Sequence, residues 1–474
     1  MSLIELEKHI NRGEHCHLIG IGGISVSALA EVLCGMGIPL SGSDANKSSV
    51  TDKMKKLGIN VTIGHKADNV IGAGYIIRTA AVRSDNIEIK TAQELGIPIY
   101  ERSEAWGYIM SKYKNAICIA GVHGKTSTTS MITHVLLEAD LDPTIMLGGT
   151  LPILGSGYRI GKGNVIALES CEYYNSFHKF CPTIAVILNV DADHLDFFGD
   201  IDDLIASFRK FADLVPENGH IVCTGDDMNT MLALAPLNRE LFTFGFGKTR
   251  VKATLNGNSG SDGLPIRVRG VNEDPTGRNP SMDVLLDGEP LCKVKLQVPG
   301  AHNLRNALAT VATSLTMEIP VDTVVKGLFN YQGVGRRFEY KGTINGADVY
   351  DDYAHHPSEL KATLNAISTL GYERIILAFQ PHTFSRTKAL FDEFVTELSR
   401  PDFTFLAPIY AAREKNDISI SSDVLASAVD GASCLGSFNE IAYDIKGIAR
   451  PGDIVLTAGA GDIYKVGEML AAGA

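Results

Sequence analysis

Short apolar runs alternate along most of the chain with longer stretches in which apolar positions recur at helical spacing, the rhythm of βα units. The first unit is HLIG at 17–20, a glycine turn, a helix through SALAEVLCGMG, and a strand within IPLSGSD at 38–44. YIIRTAAV at 75–82 and IPIYER at 97–102 complete a first sheet. A helical stretch, SEAWGYIMSKY, leads into AICIA at 116–120. VIALES (165–170), TIAVILNV (183–190) and HIVCTGDD (220–227) continue a second parallel series. Between 243 and 298 the helical period is lost, and Gly, Asn, Asp and Ser become dense. There DVLL and PLCKVKL alternate on either side of Asp287-Gly288, a pair suited to the positive φ angles of a tight hairpin. This stretch reads as an antiparallel β insertion appended to the second sheet. Helical spacing resumes at AHNLRNALATVATSL, a hinge is expected within 330–339, and IILAFQP, FTFLAPI and DIVLTAG predict a third α/β domain. No repeat of fixed period and no low-complexity tract interrupts the pattern.

At 474 residues the chain exceeds one ordinary core, so several domains are expected. Its 45% hydrophobic and 21% charged residues are those of a soluble globular protein. A formal net charge of −12 argues against nucleic acid or an anionic membrane as partner. The eight cysteines are scattered singly, without a CxxC pair or a zinc spacing, which reads as buried reduced thiols in a cytosolic protein. No apolar stretch suggests a signal peptide or a membrane span. A soluble cytoplasmic enzyme without membrane insertion is the expectation.

Candidate chemistry sits where strands end. AICIA runs into Gly121-Val122-His123-Gly124-Lys125-Thr126-Ser127 and then into a helix rich in Ser and Thr. Glycines let backbone N–H groups curl around a phosphate, and the helix adds the positive end of its dipole. Lys125 can then reach the β- and γ-phosphates and the Thr126 hydroxyl a Mg²⁺ ion. The usual first glycine of such a loop is replaced by Ile119, so a tighter version is implied. The earlier turn, Gly20-Ile21-Gly22-Gly23-Ile24-Ser25 with Asp44 closing the next strand, has the look of a dinucleotide turn. Taken alone it fits packing, NAD(P), or a diphosphate joined to something other than nicotinamide. Glu169, with Glu172 three residues on, and Asp191, Asp193, His194 and Asp196 follow strands and could hold Mg²⁺ against phosphates. For the aspartates, helix caps and solvated loops explain the residues equally well. Farther on, DDYAHHP (351–357) and QPHTFSRT (380–387) place Tyr353, His355, His382 and Arg386 at the ends of apolar runs. Arg336-Arg337 is a bidentate phosphate-clamp candidate.

In this order, GIGGIS with SGSD, GVHGKTSTT, ADHLD, AHNLRNALA, GVGRRFE, DDYAHHP, QPHTFSRT and AAREK (411–415) resemble the Mur ligases across essentially the whole chain. The resemblance implies a three-domain α/β fold. It would comprise a Rossmann-like domain for a UDP-sugar (1–105), a central P-loop ATPase with a mostly parallel sheet and an antiparallel insertion (106–328), and a C-terminal Rossmann-like α/β domain (329–474). It implies ATP-dependent activation of the UDP-N-acetylmuramate carboxylate as an acyl phosphate, then attack by an amine, L-alanine being favoured by the GIGGIS turn. Ligation of a whole tripeptide and a non-catalytic UDP-sugar sensor are the alternatives. By resemblance, Lys125 stabilises the transferring phosphoryl group, Thr126, Glu169 and His194 organise Mg²⁺, and His302, Asn303, Asn306 and Arg337 meet ATP. Gly20, Gly22, Gly23, Ser25 and Asp44 would hold UDP, Tyr353 and His355 the amino acid, and His382 and Arg386 the muramoyl end, in a monomer or homodimer. Two positions depart from the family pattern: Val122 stands where Thr is common, and Cys171 falls in an acidic run that loses one Asp.

Overall fold

The computed structural model describes residues 3–79, 82–192, 197–237, 239–247, 266–412, 414 and 419–472. They form two compact units. One comprises Met1–Arg269, Leu285–Glu289 and Leu308–Gly327; the other comprises Gly270–Val284, Pro290–Ala307 and Leu328–Ala474.

The first unit carries two sheets. Strands β1 (Cys16–Ile19), β2 (Leu40–Asp44), β3 (Asn60–Ile63), β4 (Tyr75–Arg78) and β5 (Ile99–Glu101) form the first, in the order β3-β2-β1-β4-β5, all parallel. The chain leaves β1 toward β2 on one side and returns through β4 on the other. The C-terminal end of β1 is therefore a topological switch point, where α/β sheets open a ligand crevice. The second sheet contains β6 (Asn115–Ala120), β7 (Thr144–Leu151), β8 (Ser156–Arg159), β9 (Val165–Glu169), β10 (Ile184–Ile187), β11 (His220–Thr224), β12 (Leu241–Gly245) and the start of β13 (Ile266–Asp274). Within this unit its order is β13-β12-β11-β10-β6-β9-β7-β8, with β6 at a second switch point between β10 and β9. All these neighbours run parallel except β7 and β8, an antiparallel hairpin.

Both sheets are buried on two faces, which is why β1, β6 and β10 read as continuous apolar runs. The helix Arg102–Met110 packs with Ser103, Ala105, Trp106, Gly107, Tyr108, Ile109 and Met110 all buried. Phe177 stacks on Phe211 with ring centroids 4.6 Å apart, and Phe208 meets its edge.

Strands β14 (Ser281–Leu286) and β15 (Glu289–Lys295) flank Asp287 and Gly288, whose φ angles of 52° and 97° are those the hairpin signal requires. In the second unit, β16 (Glu339–Ile344), β17 (Ala347–Asp352), β18 (Arg374–Phe379), β19 (Phe403–Leu406), β20 (Ala432–Cys434) and β21 (Asp453–Ala458) form a sheet of order β16-β17-β21-β18-β19-β20. Only β16 pairs antiparallel, through the Asn345-Gly346 turn. Alternate residues feed two cores, Leu377, Phe379 and Leu456 on one face and Ile376, Ala378 and Val455 on the other.

The structure differs from the sequence reading in several elements. β3, β8, β16 and β20 were not anticipated, because each lies at a sheet edge where polar residues interrupt the run, and β7 was not because two glycines break its apolar pattern. β13, inside the expected antiparallel insertion, instead joins β12 in parallel. Residues 248–265 of that stretch lie outside the described residues. All eight cysteines are free, but only Cys16, Cys118 and Cys223 are buried. Among the described residues no helix is long and apolar enough to cross a membrane.

Gly107 lets its helix lie against the Lys179 carbonyl, which would stand 1.9 Å from an added Cβ. Gly107→Ala is therefore expected to cost about 1–3 kcal/mol and to lower the thermal midpoint, measured by circular dichroism. An unchanged midpoint would contradict this packing.

Candidate functional site

β6 ends at Ala120 with Ile119 still in the strand, so the turn begins at Gly121. Gly121 has a φ of 142°, and a Cβ there would lie 2.9 Å from the Leu188 side chain at the end of β10. Gly124 is left-handed (φ 84°) and caps the helix Lys125–Glu138. This folds the carbonyls of Gly121 and Val122 toward Lys125, whose Nζ donates to them at 2.5 and 3.2 Å. The same ammonium meets both carboxylate oxygens of Glu172 at 3.1 and 3.0 Å. Burial alone would lower the Lys125 pKa, but the charge of Glu172, helped by Cys171 and Glu169, outweighs it and holds the group protonated. Thr126 donates its hydroxyl to Glu169 at 2.9 Å, and the Gly148 N–H donates to the same oxygen at 2.7 Å. Asn189 clamps the loop from β10: its Oδ1 accepts the His123 N–H at 2.9 Å and its Nδ2 donates to the His123 carbonyl at 3.0 Å. The Nε2 of His123 stands 3.7 Å from Asp191.

The helix behind the loop is rich in Ser and Thr yet buried on nearly every side. Three of its hydroxyls are satisfied within the helix, Thr129 donating to the Lys125 carbonyl, Ser130 to Thr126 and Thr133 to Thr129. Val122, one of the two residues that depart from the family pattern, is 8% exposed and joins the apolar core, so it contributes packing and its backbone.

The glycine turn after β1 is held from below. Gly20 and Ile21 both donate to the Ser43 carbonyl, at 2.8 and 3.0 Å. The Gly22 N–H donates to Asp44 Oδ2 at 2.8 Å. Ile21 is fully buried against Gly42, where a Cβ would come within 2.6 Å of it, so only its backbone belongs to the turn. Ile24 is exposed, and the Ser25 hydroxyl accepts from Arg102 at 2.7 Å and from Trp106 at 3.1 Å.

In the second unit, Gly300 (φ 100°) lets the helix Ala301–Thr316 begin beside His302. Asn303 donates to the Pro299 carbonyl at 2.8 Å, and Asn306 to Asn303 at 3.4 Å. Arg337 lies over the Tyr353 ring at 5.0 Å and 3.8 Å from Glu359; Arg336 pairs with the buried Asp351 at 3.1 Å. His355 Nδ1 faces the Tyr353 carbonyl at 2.9 Å and Glu359 at 3.1 Å, both acceptors, so Nδ1 carries a proton. The His355 and His382 rings meet at 5.6 Å, His382 stacks on Tyr410 at 5.5 Å, and Arg386 stands 3.3 Å from His382 Nδ1.

The structure thus brings Lys125, Thr126 and Glu169 together, gathers Gly20 to Ser25 around Asp44, and clusters Tyr353, His355, His382 and Arg386. His194 lies outside the described residues, as do Asp193 and Asp196. Glu172, 1% exposed, was read in the sequence as one of the carboxylates that could hold Mg²⁺, and in the structure it accepts from Lys125. Asn189, Gly148 and Ser43 were missed; only Asn189, a polar residue interrupting ILNV, left a trace.

Three family models match the chain: "Mur ligase family, catalytic domain" over residues 15–114, "Mur ligase middle domain" over 119–314, and "Mur ligase, glutamate ligase domain" over 336–461. The UDP-N-acetylmuramate–L-alanine ligase of Acetivibrio thermocellus is 44% identical over 463 residues, covering 97% of this chain and 96% of the relative. That of Clostridium botulinum strain Langeland is 43% identical, covering 97% and 98%. The crystal structure of the UDP-N-acetylmuramate-alanine ligase from Thermotoga maritima superposes with a TM-score of 0.78 at 26% identity, covering 97% of this chain and 99% of that one. A murein peptide ligase from Psychrobacter arcticus shares the fold at a TM-score of 0.70 and 19% identity over 96% of this chain and 98% of its own.

Two groups of the second unit titrate with opposite sign. Burial, with the charges of Arg337 and Arg305, pulls His302 down from 6.5 to about 4. Burial pushes Asp352 up from 3.8 to about 6 against the pull of Arg337. Between about pH 4 and about pH 6.5 the unfolded chain binds a proton at His302 that the folded chain refuses, so this group makes stability rise with pH. Asp352 does the reverse between its two values, stability falling as pH rises. His302→Gln should therefore flatten or invert the climb of the thermal midpoint between about pH 4.5 and about pH 6.5. Equal slopes in parent and variant would contradict the lowered His302 pKa.

Proposed function

Because the chain belongs to the Mur ligase family, we propose that it is the ATP-dependent, ADP-forming ligase that joins L-alanine to the carboxylate of UDP-N-acetylmuramate in peptidoglycan synthesis. The observation that carries the chemistry is the desolvated Lys125 ammonium, held at a helix N-terminus by Glu172 and two loop carbonyls. One oxygen of the muramate carboxylate attacks the γ-phosphorus, the bond to the β–γ bridging oxygen breaks, and ADP leaves. The amine then attacks the acyl carbon, phosphate departs with one former carboxylate oxygen, and the nitrogen sheds a proton. Charge builds on the phosphoryl oxygens in the first step, where Lys125 and the N–H groups of the loop neutralise it. No covalent nucleophile is required.

In this reading the 121–127 loop, with His302, Asn303, Asn306 and Arg337, takes ATP. The Gly20–Ser25 turn with Asp44 takes UDP, His382 and Arg386 the muramoyl end, and Tyr353 and His355 the amino acid. His355 Nε2 is placed to accept a proton from the amine. Among the described residues no three His, Cys, Asp or Glu side chains gather as a metal cage. The Thr126 hydroxyl and Glu169 carboxylate, 2.9 Å apart, are instead the sparse hard-oxygen set that suits Mg²⁺ bound largely through phosphates and water, with His194 as a further ligand. When bound, Mg²⁺ supplies charge neutralisation to the phosphates. The domain limits we favour are 1–105, 106–328 and 329–474, in a cytoplasmic monomer or homodimer acting on small molecules.

Phosphate release from ATP, Mg²⁺ and UDP-N-acetylmuramate should depend on L-alanine over glycine, L-serine and tripeptide. Release only with tripeptide would identify a recycling ligase, and none with any amine a sensor. Lys125→Ala should abolish release while leaving UDP-N-acetylmuramate affinity within about twofold, since the two loops are separate; loss of both would refute the division of labour.

A further inference from the structure

The β7–β8 hairpin touches the first glycine turn directly and reaches the second loop through Glu169. At one end, Ser25, in the turn after β1, donates its hydroxyl to Met146 Sδ at 3.1 Å. A Cβ at Gly157 would lie 3.3 Å from Ile24 Cγ2. Tyr158, paired in register with Met146, accepts from Lys53 at 2.7 Å and donates to Glu31. Lys53 and Glu31 themselves pair at 2.6 Å, and the ammonium sits 4.7 Å from the centre of the Tyr158 ring. Glu31 belongs to the helix Ile24–Gly35 that begins at the turn, so the hairpin grips this helix at its first and second turns.

At the other end, Gly148, two residues beyond Met146, gives its N–H to Glu169 Oε2 at 2.7 Å. That oxygen also receives the Thr126 hydroxyl. A Cβ on residue 148 would stand 3.1 Å from both Glu169 oxygens, so glycine is what permits the approach. The β7–β8 ladder shifts register between Met146 and Leu151, which takes Gly148 out of regular pairing with β8 and frees its N–H for the carboxylate. Met146 remains pinned in register to Leu168 on β9, one residue before Glu169. Met146 therefore joins the two ends: it contacts Ser25, is held in register beside Glu169 through Leu168, and lies two residues before the Gly148 N–H that meets the Glu169 carboxylate.

We propose that the β7–β8 hairpin, with Tyr158 as its key positioning residue, couples the Gly20–Ser25 turn to Glu169, so that ligand at one loop changes affinity at the other. This rests on the assignment of those loops to the UDP-sugar and to ATP. Coupling of this kind is reciprocal and shows as a ratio of dissociation constants.

The test is calorimetric titration of the full chain with UDP-N-acetylmuramate, with and without a saturating non-hydrolysable ATP analogue and Mg²⁺. In the parent the nucleotide should change the UDP-sugar Kd about fivefold or more. Tyr158→Phe should bring that ratio within about twofold of unity while each ligand's Kd measured alone moves by less than about twofold, a split that simple destabilisation would not produce. Glu31→Gln, which keeps the tyrosine in place, should do the same, with thermal melting to verify folding of both. A parent ratio of one, or full coupling retained in both variants, overturns the hairpin's role and leaves the substrate assignment standing. Failure of the parent to bind UDP-N-acetylmuramate at all overturns the assignment and the coupling together.

Discussion

The pairing of the Lys125 ammonium with the Glu172 carboxylate is the interaction around which the central site is built. Both side chains are withdrawn from water, Lys125 to 13% exposure and Glu172 to 1%. A charge so placed needs its partner: removing one member of a buried pair typically costs about 3–5 kcal/mol. The two loop carbonyls share the load, and they can turn toward Nζ only because Gly121 and Gly124 adopt positive φ angles. The desolvated ammonium and the glycines are therefore one device. A polyanion entering the loop meets a positive charge that has already lost its hydration, which is when electrostatic stabilisation is strongest.

The same architectural rule places the other candidate residues. The turn after β1 and the loop after β6 each leave a strand flanked by neighbours reached in opposite directions. Each opens where the sheet forces the chain to diverge. In the second unit, Tyr353 and His355 follow β17 and His382 follows β18, two strands parallel to the β21 between them. Their rings converge at the carboxyl ends of the sheet through this shared direction. Asp351 and Asp352, which end β17, are spent on holding the segments around them, through Arg336, Phe338 and Ala354.

How much of this could be read from the sequence follows from burial. Strands covered on both faces announced themselves as apolar runs, so β1, β6, β9, β10, β18 and β21 were legible. β7 and β8 were not, because TIMLGGTL and SGYR are broken by glycines whose purpose is close approach, at Gly148 to Glu169 and at Gly157 to Ile24. The hairpin at Asn345-Gly346 carried a strong turn signal that went unread between polar strands. In the site, Lys125 and Thr126 were visible because the loop motif fixes their spacing, and Glu169 because it ends an apolar strand. Glu172, Asn189 and Ser43 act through tertiary proximity, Asn189 reaching the loop from 66 residues away, and a local pattern does not say which group such residues meet.

In the proposed reaction a carboxylate oxygen is phosphorylated before the amide forms. The most direct measurement uses UDP-N-acetylmuramate labelled with ¹⁸O in both carboxylate oxygens, turned over with ATP and L-alanine, with released phosphate analysed by mass spectrometry. An acyl phosphate requires one ¹⁸O in each phosphate and one retained in the amide carbonyl. Phosphate free of ¹⁸O, formed in step with product, would contradict it.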